Sequence, residues 1–273
     1  MGNSNSKLVA KYLMILWTMI LLAFIYAPMN AIVVASFSAK RYFRYPITTW
    51  TDKWYQKAFT SLSIQDLLFT SLTIAALVAI FSVVLAFFGA LAFARYDWRG
   101  RKLYQKIILL PIFFPQAVLG LALLLWFTAF GIETSWKTAV FAHMVWIVPI
   151  VVLVISIQVY GFDPALEEAA YDLGASRFQV LKEVTLPILA PGITSGLIFA
   201  FLLSWGNFPL SLFSTGADST IPEWLYAKMV AGYTPMVPTL GALTMISAIS
   251  LLILYYIVLF VIRLIRHRSA SKL

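Results

Sequence analysis

The densest group of reactive side chains in this 273-residue sequence is a set of carboxylates in one short segment. Four of the eleven acids fall within ten residues, namely Asp163, Glu167, Glu168 and Asp172. On a helix, Glu167 and Glu168 lie beside an apolar face, where a carboxylate can pair with a basic group or with backbone amides of a partner. The face consists of Leu166, Ala169, Ala170 and Leu173. The pattern fits a knob that docks on a soluble protein and, equally, a helical hairpin lying on the inner leaflet of a membrane.

Local signals predict how this segment folds. Asp163 is suited to cap a helix, and Pro164 fits the first helical position, where its missing N–H does no harm. Gly174 is placed to end that helix in the left-handed conformation. Ser176 can cap a second helix, which Pro187 would stop. We therefore expect two short helices that meet at a glycine.

Other chemistry finds little support in the sequence. It has no cysteine, which excludes thiol catalysis and cysteinyl metal sites. The segment Gly131–Thr138 has the spacing of a phosphate-binding loop, but Trp136 replaces the glycine that lets backbone amides close on phosphate. His143 reads better as a hydrogen-bonded packing residue than as a metal ligand, because the only other histidine is His267 in the tail. We expect no catalytic residues, no metal site and no cofactor bound by this chain.

The composition indicates what must position the acidic segment. Apolar residues make up 62% of the chain and charged residues only 11%, which is typical of a polytopic membrane protein. A helix needs about 20 mostly apolar residues to cross a bilayer. Six stretches meet that length, and we predict an all-α membrane protein with spans at about 13–36, 67–94, 107–130, 138–160, 191–213 and 238–262.

Charge sets the expected orientation. With the N-terminus inside, 13 of the 20 basic residues fall in inner segments and 7 in outer ones, so both termini are predicted to be cytoplasmic. The net charge of +9 then reflects topology and attraction to anionic lipid rather than nucleic-acid binding. All eleven acids lie in loops or at helix ends under this assignment, which argues against a proton-coupled carrier.

One motif resembles a known family. Glu168-Ala169-Ala170, Gly174 four positions after Ala170, and Val184-Thr185-Leu186-Pro187 match the EAA loop of binding-protein-dependent ABC importer permeases, EAA-x3-G-x9-I-x-LP, with valine for isoleucine. The loop spans about 161–190 and precedes the last two spans, as in that family. More weakly, Tyr96–Gly100 and Gly161–Asp163 resemble the spermidine/putrescine permease subfamily.

The resemblance implies a fold and a division of the chain. The fold is that of type I ABC importer permeases. The chain would cross the bacterial inner membrane several times. Residues 1–66 would supply the first helix and first outer loop, 67–262 the permease core, and 263–273 a basic cytoplasmic tail.

It also implies partners and roles. The EAA helix would couple the permease to a cytoplasmic ATPase through Glu167, Glu168, Ala169, Ala170, Gly174, Leu186 and Pro187. ATP and Mg²⁺ would be bound by a dimer of separate ATP-binding subunits. A second permease subunit and a periplasmic solute-binding protein would complete the complex, with lipid around it and no nucleic acid.

The solute is less constrained. Near the middle of the predicted fifth span, Gly206 and Pro209 should loosen the helix. The neighbouring side chains either line the solute path or pack between helices; they are Trp205, Asn207 and Phe208. Polyamine permeases tend to carry acids here. Their absence leaves room for amino-acid derivatives, opines, phosphonates or other small polar solutes.

The rival class is a secondary carrier that works alone. In the outer loop 214–237, Asp218 and Glu223 contact the binding protein or belong to a simple connector.

Overall fold

The computed structural model describes residues 2–42 and 44–270, with side chains described at 7–42 and 44–260. In this part of the chain the secondary structure is helical apart from one isolated bridge between Ser38 and Trp50, which confirms the all-α prediction. The last three residues of the predicted basic tail lie outside the described residues. The helices are α1 (Gly2–Ser36), α2 (Lys53–Thr60), α3 (Leu62–Ala90), α4 (Arg101–Ile107), α5 (Leu110–Phe113), α6 (Gln116–Ala129), α7 (Trp136–Tyr160), α8 (Ala165–Asp172), α9 (Arg177–Val180), α10 (Leu186–Trp205), α11 (Pro209–Ser214), α12 (Ile221–Ala231) and α13 (Met236–Ala270), with π-helical turns π1 (Leu91–Arg95) and π2 (Leu181–Thr185).

Among the described residues, five helical stretches are long and apolar enough to cross a membrane, and a bent pair gives a sixth if its two helices form one span. All six lie in regions where the sequence predicted spans. The third span is not the single helix that the sequence predicted, because Arg101–Phe113 and Gln116–Ala129 meet at 101°. Pro115 explains the bend: a proline disfavours helical backbone at the preceding residue, and Phe114 is extended with ψ of 135°.

The fifth span also differs from the prediction. Helix continues from Arg177 through π2 and α10 to Trp205, so Pro187 does not stop it and the expected start after Pro191 was wrong. Pro187 lies in the first turn of α10, directly after π2, where the wider π-helical turn accommodates the ring. The span ends at Trp205 rather than continuing to residue 213, and α11 follows as a separate short helix.

The chain divides into two compact units, one from Asp66 to Trp224 and one formed by the residues up to Gln65 with those from Leu225 onward. In the first unit α7 is the central helix and packs on α10, α11 and π1. Its core includes Ile147, Val151, Val152 and Ile155, all fully buried. Gly196 of α10 permits the close helix contact, since a Cβ there would stand 2.9 Å from Val151 Cγ1.

In the other unit the C-terminal end of α1 packs on α13, and α2 packs on α13 as well. The hydroxyl of Thr239 donates to the carbonyl of Ser36 at 3.4 Å, and the indole N–H of Trp54 donates to Ser38 O at 3.0 Å. Most side chains of α1 from Leu8 to Ile32 are exposed within the chain. Their apolar character suits contact with lipid.

The turn after α11 depends on a glycine, which leads to a stability prediction. Gly216 has φ of +64°, and a Cβ there would stand 2.3 Å from Thr134 O. Gly216→Ala therefore costs about 1–2 kcal/mol of left-handed backbone strain, and it adds a clash between the new Cβ and Thr134. We expect a clear fall in the apparent Tm of the purified protein in detergent, measured by intrinsic tryptophan fluorescence.

Gly131→Ala is the matched control. Gly131 has nearly the same φ, +67°, but a Cβ there meets nothing within 4 Å. Its substitution should cost only the backbone strain. Equal Tm losses for the two variants would show that the contact between Gly216 and Thr134 contributes nothing.

Candidate functional site

The first helix of the acidic segment folds as its sequence predicts. Asp163 Oδ1 accepts from the N–H of Ala165 at 3.0 Å, at the start of α8. Gly174 adopts φ of +87° and ends the helix, and the N–H of Ala175 donates to Ala170 O at 3.1 Å. This left-handed stop confirms the expected role of Gly174.

The second helix of the segment begins as expected and ends differently. Ser176 forms a capping box with Gln179: the Ser176 N–H donates to Gln179 Oε1 at 2.8 Å, and the Gln179 N–H donates to Ser176 Oγ at 3.4 Å. The helix then runs through π2 into α10. Leu186 and Pro187 consequently lie in the first turn of a membrane helix rather than at the end of a short hairpin.

The outer surface of α8 is an exposed apolar face. Leu166 is 51% exposed and Leu173 89%, and the nearby Phe178 is 71% exposed. Ala169 and Glu168 are exposed beside them. Exposed large apolar side chains around a polar residue are typical of a surface that binds a partner.

Glu167 has a different environment from Glu168. Its Oε2 accepts from Arg95 Nη2 at 2.6 Å, and its Oε1 accepts from Thr185 Oγ1 at 2.6 Å. The Arg95 and Glu167 side chains are 13% and 17% exposed. Arg95 also lies over the ring of Phe162, with its guanidinium carbon 4.8 Å from the ring centroid. Glu167 is thus bound within the chain, whereas Glu168 faces outward.

Sequence reasoning missed Arg95 and Thr185. Arg95 lies 72 positions before Glu167. Nothing in the local pattern around either residue indicates this long-range contact. Thr185 falls on an unspecified position of the EAA motif, between Val184 and Leu186, so the motif did not draw attention to it.

The three predicted path residues lie at the break between α10 and α11. Trp205 is the last residue of α10, and its ring stacks on Phe201 with centroids 5.9 Å apart. Asn207 is only 4% exposed, and its Oδ1 accepts from the N–H of Leu210 at 3.0 Å, in the first turn of α11. Phe208 is the N-cap residue of α11 and is partly buried. The break therefore lies at the end of a helix rather than halfway along it.

His143 links both sides of this break to α7. It is fully buried, with Nδ1 2.8 Å from Ser204 Oγ and Nε2 3.0 Å from Ser211 Oγ. The Ser211 hydroxyl donates its single proton to Asn207 O at 2.7 Å, so its oxygen accepts from the histidine. The pattern assigns the tautomer with hydrogen on Nε2, and Ser204 donates to Nδ1. This agrees with the hydrogen-bonded packing role expected for His143.

The carboxylates of the loop after α11 are used within the chain. Asp218 Oδ2 accepts from the N–H of Trp136 at 3.0 Å, at the start of α7. Glu223 accepts from the Thr215 hydroxyl at 2.6 Å and from the Thr220 N–H at 2.6 Å. Asp218 thus connects this loop to the start of α7, and Glu223 holds the residues just before α12. Among the described residues there is also no group of three or more histidine or acidic side chains placed to hold a metal ion.

Comparison with known proteins decides the family. Residues 82–270 match the model of the binding-protein-dependent transport system inner membrane component family. The chain belongs to this family. The matched region contains the acidic segment, α8 and the break after α10. The chain is therefore an ABC importer permease of the inner membrane, as the EAA motif predicted.

Individual relatives agree with this assignment. The permease is 30% identical to the spermidine/putrescine transport system permease protein PotC of Escherichia coli (strain K12) over 232 residues, covering 85% of this chain and 88% of the relative. It is 30% identical to the putrescine transport system permease protein PotI of the same strain over 242 residues, covering 83% and 85%. The molybdenum transport system permease protein ModB of Haemophilus influenzae is 34% identical over 176 residues, covering 58% and 76%.

Solved structures share the fold. A chain of a bacterial ABC transporter that imports the acidic polysaccharide alginate superimposes with a TM-score of 0.68 at 18% identity, covering 90% of this permease and 93% of that chain. A chain of the MetNI methionine ABC transporter in an inward-facing conformation gives 0.55 at 17% identity, covering 74% and 95%. These likenesses confirm the type I ABC importer permease fold.

Proposed function

We propose that this permease is the transmembrane subunit of an ATP-driven importer that takes up a small polar solute delivered by a periplasmic binding protein. The observation that carries the proposal is α8. It presents an exposed apolar face beside Glu168, at the position of the EAA motif, in a chain of the importer family. Such a face suits a cleft on a cytoplasmic ATPase subunit, and both termini are then cytoplasmic.

Energy reaches the permease from its partners in this proposal. A dimer of separate ATP-binding subunits holds ATP and Mg²⁺, and this chain contributes no nucleotide site. A second permease subunit, identical or different, completes the pathway. When the ATPase dimer closes, α8 moves with it. A short connection through α9 and π2 joins α8 to α10, so nucleotide and solute bias the same conformational equilibrium.

The proposed solute is a polyamine or a related amine or amino-acid derivative. The relatives PotC and PotI are named for spermidine and putrescine transport, which supports an amine. The break after α10 carries Gly206 and Asn207, and neither supplies a negative charge for a cation. An opine, a phosphonate or another small organic ion is the alternative. Titration calorimetry of the cognate binding protein with these solutes identifies the one that is carried.

Site-directed cross-linking tests the docking role of α8. The permease has no cysteine, so a single engineered cysteine reacts alone on this chain. We expect Leu173→Cys, labelled with a photoreactive maleimide in membranes that contain the whole transporter, to give an adduct with the ATPase subunit. Leu173 is 89% exposed, so the label is accessible.

Ile132→Cys is the matched control for the cross-link. Ile132 is 42% exposed and lies before the start of α7, whereas Leu173 lies beyond its other end. α7 has 25 residues and is about 37 Å long, so the two positions are far apart. Ile132→Cys should give no ATPase adduct. Absence of the adduct from Leu173→Cys would contradict the docking role. Solute uptake by the permease reconstituted alone on an ion gradient would favour the secondary carrier.

A further inference from the structure

The last residues of the two π-helical turns donate hydrogen bonds to the same carboxylate. Arg95 is the last residue of π1, and Thr185 is the last residue of π2. Each donates to one oxygen of Glu167 at 2.6 Å. We call these three residues the Glu167 clasp. π-Helical turns inside longer helices are rare and are found frequently at functional sites.

The clasp joins α8 to two long helices. Arg95 ends the helical stretch that begins with α3, and Thr185 directly precedes α10. The side chain of Thr185 is buried, and Phe162, on the short connection from α7 to α8, is 6% exposed beneath the Arg95 guanidinium. The ends of α3, α7 and α10 are thereby held around one side chain of α8.

The geometry of the clasp suits the transmission of movement. A carboxylate that accepts two charge-assisted or hydroxyl hydrogen bonds on separate oxygens is fixed in position and in rotation. Glu168, the next residue, is exposed and makes neither contact. Two adjacent acids therefore have separate tasks, because one faces the surface and the other faces the membrane helices.

We propose that Glu167 is a positioning residue that locks α8 to π1 and π2, so that displacement of α8 moves α3 and α10 together. The inference rests on the proposed function, in which the ATPase displaces α8. Without the clasp, the ATPase still docks on the exposed face, but its movement is absorbed between α8 and the helices. The assigned role of Glu167 is thus transmission rather than docking.

The test uses the whole transporter reconstituted with its binding protein, with solute-stimulated and basal ATP hydrolysis measured separately. For Glu167→Ala we expect at least a tenfold loss of solute stimulation and of uptake, with basal hydrolysis and co-purification of the ATPase within twofold of wild type. Thr185→Val removes one of the two bonds and should lose about threefold. Glu183→Ala changes an exposed glutamate of π2 outside the clasp and serves as the matched control.

Restoration of the pair separates positioning from a general structural effect. Arg95→Glu and Glu167→Arg should each uncouple the transporter, and the double variant should regain at least a third of wild-type stimulation, because the ion pair can form in reverse. Glu167→Gln keeps an acceptor for Arg95 and replaces the second acceptor by an amide N–H that the Thr185 oxygen can accept, so it should retain most of the coupling. A nitroxide label on Leu173→Cys should become more mobile in Glu167→Ala and not in Glu183→Ala.

The outcomes distinguish this inference from the function on which it rests. If Glu167→Ala loses the ATPase during purification, Glu167 is a docking residue and the clasp is refuted while the importer assignment stands. If Glu167→Ala couples normally, the clasp is also refuted. If wild-type permease neither binds an ATPase nor stimulates it with solute, the proposed function itself fails.

Discussion

Replacing Glu168 by lysine is expected to abolish solute-stimulated ATP hydrolysis and to lower uptake at least tenfold, while the permease still inserts into the membrane. Glu168 is exposed beside the apolar face of α8, where it can pair with a basic group of the ATPase subunit. Hydrogen bonds to charged groups contribute about 1.5–3 kcal/mol, and 1.4 kcal/mol corresponds to a tenfold change. Lysine removes that bond and adds repulsion between like charges.

The measurement is ATP hydrolysis by the reconstituted transporter with and without loaded binding protein. Glu183→Lys introduces the same charge change at an exposed position of π2 and should keep most of the stimulation. Gly174→Val is a second variant of the segment, since φ of +87° there strains any branched residue and should disturb the end of α8. Normal transport by Glu168→Lys would mean that α8 does not engage the ATPase through this residue.

Replacing His143 by leucine is expected to destabilise the permease by about 2 kcal/mol and to impair uptake several-fold. Leucine cannot replace either ring nitrogen, so Ser204 loses its acceptor and Ser211 loses a donor. The segment between α10 and α11 is then no longer tied to α7 from both sides. Apparent Tm in detergent and solute uptake in proteoliposomes report the two effects.

His143→Gln is the matched control, because its amide supplies one acceptor and one donor. It should recover most of the stability and uptake lost in His143→Leu. The single variants Ser204→Ala and Ser211→Ala should each cost less than His143→Leu. If leucine were tolerated as well as glutamine, the hydrogen bonds of His143 would have no part in holding the break.

Local structure in the acidic segment was predictable because it depends on hydrogen bonds between near neighbours. The capping box joins Ser176 and Gln179, three positions apart, and Gly174 ends α8 within one turn. The stop predicted at Pro187 was wrong, because Pro187 is accommodated directly after π2. A π-helical turn depends on the packing around it as well as on local propensity.

The predicted site was recovered in part. The EAA motif located α8, and the family match includes it. Glu167 was grouped with Glu168 as a coupling residue on the same basis, and the structure places them differently. The division of the chain at residues 66 and 262, and the coupling and path roles of individual residues, stay predictions.

The sequence by itself determined that this chain is a helical membrane protein, which of its stretches are apolar, and where α8 begins and ends. Apolar length, composition and capping are properties of short stretches, so they can be read without knowing which helices meet. Only the tertiary structure decided that Glu167 faces Arg95 and Thr185 while Glu168 faces outward. Successive residues of a helix point about 100° apart, and which of them turns inward depends on the packing of distant helices.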